Sequence, residues 1–112
     1  MKRTILFSLA ILSAVLLNAA VGISNGNTTL YYELNNTEKI ATLVPSEGEP
    51  YAGVVNIPEN IQHDGVNYDV ATIAKEAFKG CKELTEISIP RTITKIGGHA
   101  FKGCENLRTV NY

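Results

Sequence analysis

The most reactive side chains in this sequence are two thiols, Cys81 and Cys104, whose positions differ by 23 (104 − 81). Each ends the same pentapeptide, because residues 77–81 (AFKGC) return unchanged at 100–104. A structural repeat with this offset would stack the two thiols on neighbouring turns of the chain, about 4.8 Å apart. A disulfide accepts such a separation, and a buried cysteine also packs as a small apolar side chain. We favour a reduced pair in the core, with the disulfide as the alternative.

The two histidines, His63 and His99, do not combine with the thiols into a metal site. Neither falls near a cysteine in repeat phase, and the wide spacing of the two cysteines is not a zinc-binding pattern. We interpret both histidines as solvated surface residues, with His63 beside Asp64. No serine has the glycine context of a nucleophile elbow, and no glycine run resembles a phosphate-binding loop. The sequence therefore predicts a protein that is not an enzyme and that carries no cofactor or metal.

Charge and the N-terminal segment limit the partners and the location of the protein. The formal net charge of −1 provides no basic field for nucleic acid. Residues 1–22 have a basic start, an apolar run over 5–17 and small residues at Ala20 and Gly22, which is the layout of a signal peptide. The run is shorter than the ~20 residues of a membrane span, although an uncleaved anchor is the alternative. We expect an exported protein, secreted or at the cell surface, without stable membrane insertion after signal cleavage.

Residues 23–52 have the pattern of a small β cap. Strand-favouring residues occupy 30–34 and 40–44, and the segment 35–38 between them is rich in turn-forming asparagine. This pattern predicts an antiparallel hairpin, with residues 23–29 as a loose lead-in. A solenoid needs an atypical terminal element over its open apolar end, and the hairpin is suited to that role.

Four of the five tyrosines lie in this cap or shortly after it, at Tyr31, Tyr32, Tyr51 and Tyr68. Strand alternation requires about half of such residues to point inward. We expect Tyr32 and Tyr68 to be buried, and Tyr31 or Tyr51 to be more exposed.

Residues 53–112 form a repeat array in which the pentapeptide offset is the period. Beyond the pentapeptide, apolar positions recur in phase, as at Leu84 and Leu107 or at Ile87 and Val110. A period of this length with apolar ladders is the signature of a leucine-rich solenoid. The predicted fold class is therefore a mainly β solenoid, a short leucine-rich repeat array of period 23 with an N-terminal β-hairpin cap.

The first repeat is longer than the period. Ile57-Pro58 recurs as Ile89-Pro90 at an offset of 32 (89 − 57), which exceeds the period by nine. The extra residues surround Asp64-Gly65, which between alternating apolar residues is a strong signal for a two-residue β-hairpin. We expect this hairpin to project from the array. In the next repeat, Ala100-Phe101 is predicted to begin a short helical turn that ends at Gly103.

Outward-facing strand positions of the repeats define a candidate ligand-binding face. In the strand that begins at Leu84, period-two alternation leaves Glu86 and Ser88 facing solvent. Equivalent positions recur in the other turns of the array, and the full set is Val54, Asn56, Glu86, Ser88, Thr109 and Asn111. These residues would bind a ligand through side-chain hydrogen bonds and one charge.

The second repeat carries a specific consensus. Ile-Pro-x-x-Ile-x-x-Ile-x-x-x-Ala-Phe-x-Gly-Cys-x-x-Leu, which runs from Ile89 to Leu107, resembles the BspA-like leucine-rich repeat of bacterial cell-surface proteins. The resemblance covers residues 53–112 closely and 30–52 loosely. It implies an exported binding or adhesion module whose partner is a host or bacterial surface protein or a glycan.

A second hypothesis follows from the shortness of the array, about two and a half repeats without a visible C-terminal cap. The chain would then be the N-terminal scaffold fragment of a longer surface protein, and its function would lie in further C-terminal sequence. An open end would expose Val110 and unpaired strand edges, which favours self-association.

Overall fold

The computed structural model describes residues 19–112, so nearly all of the predicted signal peptide lies outside the described residues. Within this range the chain forms nine β-strands and no helix. The strands are β1 (Val21–Asn25), β2 (Thr28–Asn35), β3 (Ile40–Val44), β4 (Gly53–Asn56), β5 (Asn60–His63), β6 (Val66–Ile73), β7 (Leu84–Ser88), β8 (Lys95–Ile96) and β9 (Thr109–Asn111). One sheet has the order β1-β2-β3-β6-β5, with β8 also beside β6, and the other has the order β4-β7-β9.

The N-terminal cap is an antiparallel meander of β1, β2 and β3. The predicted hairpin is confirmed, since β2 pairs with β3. The prediction of a loose lead-in over 23–29 is wrong, because β1 pairs with β2 along its whole length. The chain turns between them at Gly26, whose φ of 69° lies in the left-handed region that glycine tolerates. The cap therefore has three strands, one more than the sequence predicted.

The Asp64-Gly65 hairpin forms as predicted but does not project. Asp64 and Gly65 have φ values of 52° and 78°, the left-handed pair that a type I′ turn needs. β5 and β6 pair antiparallel on either side of this turn. β6 also runs parallel to β3, with Leu43 opposite Ile73, and both side chains are fully buried. Apolar burial therefore holds the insertion against the cap and merges the two into one sheet.

The repeats stack through parallel strand pairing. β4 pairs with β7, and β7 pairs with β9. The same backbone bonds continue beyond the strands, where Ile57 N donates to Ser88 O (3.1 Å) and Ile89 N donates to Asn111 O (2.8 Å). Because these bonds recur from one repeat to the next, successive turns of the chain form a solenoid. The predicted fold class is confirmed.

The predicted helical turn at Ala100-Phe101 is replaced by a non-helical turn, and its counterpart in the preceding repeat shows the physical reason. There, every second amide bonds within its own turn, as when Ala77 N donates to Ala74 O (3.1 Å). The amides between them donate to the next repeat, Glu76 N to Gly98 O (3.1 Å), Phe78 N to Ala100 O (2.8 Å) and Gly80 N to Lys102 O (2.7 Å). A helix would need all of these amides for its own carbonyls.

One apolar core runs beneath both sheets. Its largest fully buried side chains are Tyr32, Tyr51, Phe78, Leu30, Leu43, Ile73, Leu84, Ile87, Val55 and Val70. Phe78 connects the cap side to the repeats, because its ring centroid lies 4.9 Å from that of Tyr51 and 5.2 Å from that of Phe101. The rings of Phe78 and Phe101 are stacked, with an interplanar angle of 7°. The phenylalanine that recurs in each pentapeptide therefore stacks on its counterpart along the solenoid axis.

The burial predicted for Tyr32 and Tyr68 is confirmed, and Tyr31 is partly exposed. Of the two tyrosines predicted as alternatives for the more exposed position, Tyr31 takes it, because only 2% of Tyr51 is accessible. Tyr51 is held by hydrogen bonds. Its hydroxyl donates to Val44 O (2.7 Å) and accepts from Tyr31 N (3.1 Å), so the polar atom is satisfied inside the protein.

Candidate ligand-binding face

The six predicted face residues lie on three adjacent strands in matching register. β4, β7 and β9 contribute two residues each. The rows that cross the sheet are Val54–Glu86–Thr109 and Asn56–Ser88–Asn111. The six side chains therefore form a grid of two rows and three columns, which we call the ladder face.

The row between these two rows explains why the six side chains point outward. It consists of Val55, Ile87 and Val110, which are paired across the same strands. Val55 and Ile87 are 1% and 0% exposed, because they pack on the core. Successive strand residues point to opposite surfaces of a sheet, so burial of Val55 and Ile87 turns their neighbours to the other side. The strand of Val110, which is itself 43% exposed, follows the same alternation in register.

Glu86, in the central column, is the only residue of the ladder face with a formal charge. Glu86 and Ser88 are half-buried between the outer columns, whereas Val54 is 54% exposed. Within residues 19–112, no cationic side chain forms an ion pair with the Glu86 carboxylate. The ion pairs in this part of the chain are His63–Asp64 (3.5 Å), Lys79–Glu76 (3.5 Å) and Arg91–Glu59 (3.8 Å).

One hydrogen bond connects the two rows of the ladder face, and a second contact lies within one row. Asn111 Nδ2 donates to Glu86 Oε2 (2.9 Å) and lies 3.3 Å from Ser88 Oγ, which it also contacts as a donor. At the other edge, Asn25 Nδ2 donates to Asn56 O (2.8 Å) and ties the cap to the ladder face. Sequence reasoning missed Asn25, because its segment was interpreted as a loose lead-in. The Asn-Gly pair at 25–26 was the available turn signal.

Cys81 and Cys104 are free thiols set inside the stack of repeats. Cys81 is buried and Cys104 is partly buried, and Cys104 Sγ donates to Phe78 O (3.0 Å). Burial raises the pKa of both thiols, so neither is a reactive thiolate at neutral pH. Their arrangement agrees with the favoured interpretation of a reduced pair that packs in the core.

Both histidines lie at the surface, His63 at the end of β5 and His99 on a turn. His63 is next to Asp64 on the β5–β6 turn, and His99 is exposed with a φ of 57°. In the part of the chain that the structure describes, no three histidine, cysteine or acidic side chains come together as metal ligands.

Across residues 19–112, the structure contains no helix with the length and apolar character that crossing a lipid bilayer requires.

A second exposed surface lies at the last repeat. Val110 is 43% exposed there, Ile96 is 48% exposed and Tyr112 is 99% exposed. Ile89, Ile93, Phe101 and Leu107 line a groove beside them. We call these seven residues the apolar end face. Its residues are equivalent to ones that the next turn covers in the preceding repeat, as Phe101 covers Phe78.

Solved structures of bacterial leucine-rich repeat proteins are similar to this chain. A leucine-rich repeat protein from Bacteroides ovatus is 32% identical over 74% of this chain and 22% of its own, with a TM-score of 0.67. A leucine-rich cell surface protein from Faecalibacterium prausnitzii is 30% identical over 80% of this chain and 23% of its own, with a TM-score of 0.62. The T. pallidum leucine-rich repeat protein is 30% identical over 74% of this chain and 36% of its own, with a TM-score of 0.61. The chain thus spans about a quarter to a third of their length.

The family model described as "BspA type Leucine rich repeat region (6 copies)" matches residues 55–112. No curated protein matches the chain significantly. The family match covers the residues that carry the repeat period and the stacked turns. The chain therefore belongs to the family of BspA-type leucine-rich repeat proteins.

Proposed function

We propose that the protein is a non-catalytic, exported binding module that uses the ladder face to adhere to a host or bacterial surface protein or glycan. The observation that carries this proposal is the register of the ladder face, in which polar side chains repeat on adjacent strands. Backbone pairing and the packing of Val55 and Ile87 on the core hold these side chains in place before a ligand arrives. Such preorganisation lowers the ordering cost of binding.

Two observations support export to the cell surface or the medium. Residues 1–22 have the composition of a signal peptide. One of the similar solved structures is described as a leucine-rich cell surface protein. In this proposal residues 23–52 act as the cap and residues 53–112 as the binding array.

The proposal is tested with the exported protein, recovered from cells that express the full chain and screened against arrays of purified surface proteins and of glycans. The variant Glu86→Ala/Ser88→Ala/Asn111→Ala removes the hydrogen-bonded side chains of the ladder face. We expect binding to weaken by at least about tenfold, since hydrogen bonds to charged groups contribute about 1.5–3 kcal/mol.

The matched control is Glu33→Ala/Gln62→Ala/Asn67→Ala, which changes exposed strand residues of the other sheet. Its binding is expected to equal that of the unmodified protein. A ladder-face variant that keeps its circular dichroism spectrum and its full affinity would contradict the proposal, as would retention of the protein inside the cell.

A second candidate function rests on the apolar end face. In that case the chain is the N-terminal scaffold of a longer surface protein, and the end face packs against further repeats or against a second copy. The exposure of Ile96, Val110 and Tyr112 supports this candidate, and so does the greater length of the similar solved structures.

A further inference from the structure

We propose that the ladder face selects a protein partner that places an arginine side chain on Glu86. This inference rests on the proposed function and specifies the chemistry of the ligand. It starts from the position of Glu86, which occupies the centre of the row Val54–Glu86–Thr109. A ligand that lies across the three strands must therefore cover this carboxylate.

Covering a carboxylate removes it from water, which is costly unless a cation or hydrogen-bond donors replace the water. The only side-chain hydrogen bond to Glu86 within residues 19–112 is the one from Asn111 Nδ2 to Oε2 (2.9 Å). That bond neutralises no charge, because an amide is neutral. The Oε1 atom and the charge itself are left for the ligand to satisfy.

The neighbours of Glu86 favour a guanidinium group over other donors. The bond from Asn111 to Oε2 favours one orientation of the carboxylate, which suits the paired N–H bonds of a planar guanidinium. On one side lies Val54, which is 54% exposed and offers apolar surface for the methylene stem of arginine. On the other side lies Thr109, whose hydroxyl can accept a further N–H.

The composition of the ladder face favours a protein ligand over a glycan. None of its six residues is aromatic, so it offers no ring on which a sugar could stack. Its exposed apolar group and its unpaired carboxylate complement the apolar stem and the cationic head of arginine.

The experiment is a nuclear magnetic resonance titration of the exported protein with N-acetyl-argininamide. The matched probe is N-acetyl-citrullinamide, which has nearly the same shape but no charge. We expect saturable shifts of the backbone amides of Glu86 and Ser88 and of the side-chain amide of Asn111. Citrullinamide is expected to bind about tenfold more weakly or not at all, and added salt should weaken the binding of argininamide.

The variant Glu86→Gln removes the charge and keeps an oxygen that can accept the Asn111 hydrogen bond, so the fold should be unchanged. We expect it to lose the response to argininamide. Glu33→Gln is the control, because Glu33 is an exposed carboxylate in the middle of β2 in the other sheet. Shifts that are equal for both probes, that persist in Glu86→Gln, or that are absent from the ladder face would overturn the inference.

Together, the titration and the array screen distinguish a failure of the arginine inference from a failure of the proposed function. If the triple alanine variant loses its partner but argininamide does not bind at Glu86, the ladder face is a binding surface and the arginine inference is wrong. If argininamide binds at Glu86 but the triple variant keeps its partner, the macromolecular partner binds elsewhere, and both the proposed function of the ladder face and the arginine inference are wrong.

Discussion

Gly97 is the residue where the backbones of two successive repeats come closest. A Cβ atom at this position would lie 2.6 Å from Lys75 Cα and 2.8 Å from Ala74 C, and closer still to Lys75 N. These are backbone atoms, so they cannot rotate away as a flexible side chain would. The amide of Gly97 also donates to Ile73 O (2.8 Å), which holds the two segments of the backbone together. By contrast, a Cβ atom at Gly98 would meet nothing within 4 Å.

The substitution Gly97→Ala is therefore expected to lower the free energy of unfolding by about 1–3 kcal/mol, the usual cost of forcing extra atoms into a packed site. Gly98→Ala is the control and should change the stability by less than about 1 kcal/mol. Urea unfolding followed by circular dichroism measures both. Equal stabilities of the two variants would show that the two repeats can move apart at Gly97 without a loss of folding free energy.

At the scale of the elements, the segment between β3 and β4 joins the cap sheet to the first repeat, and Tyr51 fastens it. The hydroxyl bonds to the backbone at the end of β3 and on β2, while the ring packs 4.9 Å from Phe78 beneath the repeats. The cap is thus bound to the array by one aromatic side chain with both an apolar and a polar contact. Burial raises the pKa of Tyr51 to about 12, and it also raises the pKa of Tyr32.

These raised pKa values predict a loss of stability in alkali. In the unfolded chain a tyrosine ionises near pH 10, so above that pH the unfolded state binds fewer protons than the folded state. The stabilisation from neutral Tyr51 is present below about pH 10 and is lost as the pH rises towards about 12. Circular dichroism against pH, combined with the ultraviolet absorbance of tyrosinate, follows unfolding and ionisation together.

The variant Tyr51→Phe keeps the aromatic ring and removes the hydroxyl group, with its hydrogen bonds and its ionisation. We expect it to be about 1 kcal/mol less stable at neutral pH, because the hydroxyl bonds are lost. Its stability should fall less between about pH 10 and about pH 12 than that of the unmodified protein. Tyr112→Phe is the control, since Tyr112 is 99% exposed. An unchanged alkaline transition in Tyr51→Phe would show that this side chain does not couple folding to pH.

At the scale of the whole molecule, burial is uneven from one end to the other. The cap strands and β6 bury residues such as Leu30, Leu43 and Val70 completely, whereas every residue of β9 is exposed. Each repeat is stabilised by its neighbours on both sides, as expected for a solenoid. The last repeat has a neighbour on one side only among the described residues, so its apolar end face remains uncovered.

This uncovered end face predicts concentration-dependent self-association of the exported protein, because covering Val110 and the edge of β9 removes apolar surface and unpaired backbone groups from water. Light scattering should report species larger than a monomer at high protein concentration. Val110→Asp should restore the monomer, because a charge cannot be covered in an apolar contact.

Val54→Asp is the matched control, since Val54 is 54% exposed on the ladder face. It should leave the self-association unchanged. If the protein is a monomer at every concentration, the apolar end face does not bind a second copy of the chain.

Local patterns predicted the parts of the fold that depend on near neighbours in the chain. The Asp-Gly pair at 64–65 was sufficient for the hairpin, because its backbone angles follow from those two residues. Alternation in β7 was sufficient to place Glu86 and Ser88 on the outer surface, since the side chains of a strand change sides at every residue. Local patterns failed for the helical turn predicted to begin at Ala100-Phe101. In the equivalent turn of the preceding repeat, half of the amides bond to another repeat instead of forming a helix.

The sequence by itself determined the repeat period, the fold class and the six positions of the ladder face, because each depends on which residue types recur at a fixed spacing. Only the tertiary structure decided the pairing of β3 with β6, the burial of Tyr51 and the need for glycine at residue 97. It also decided the bond from Asn111 to Glu86. These features depend on contacts between segments far apart in the chain, and the free energy of such contacts arises only when the packed repeats bring those segments together.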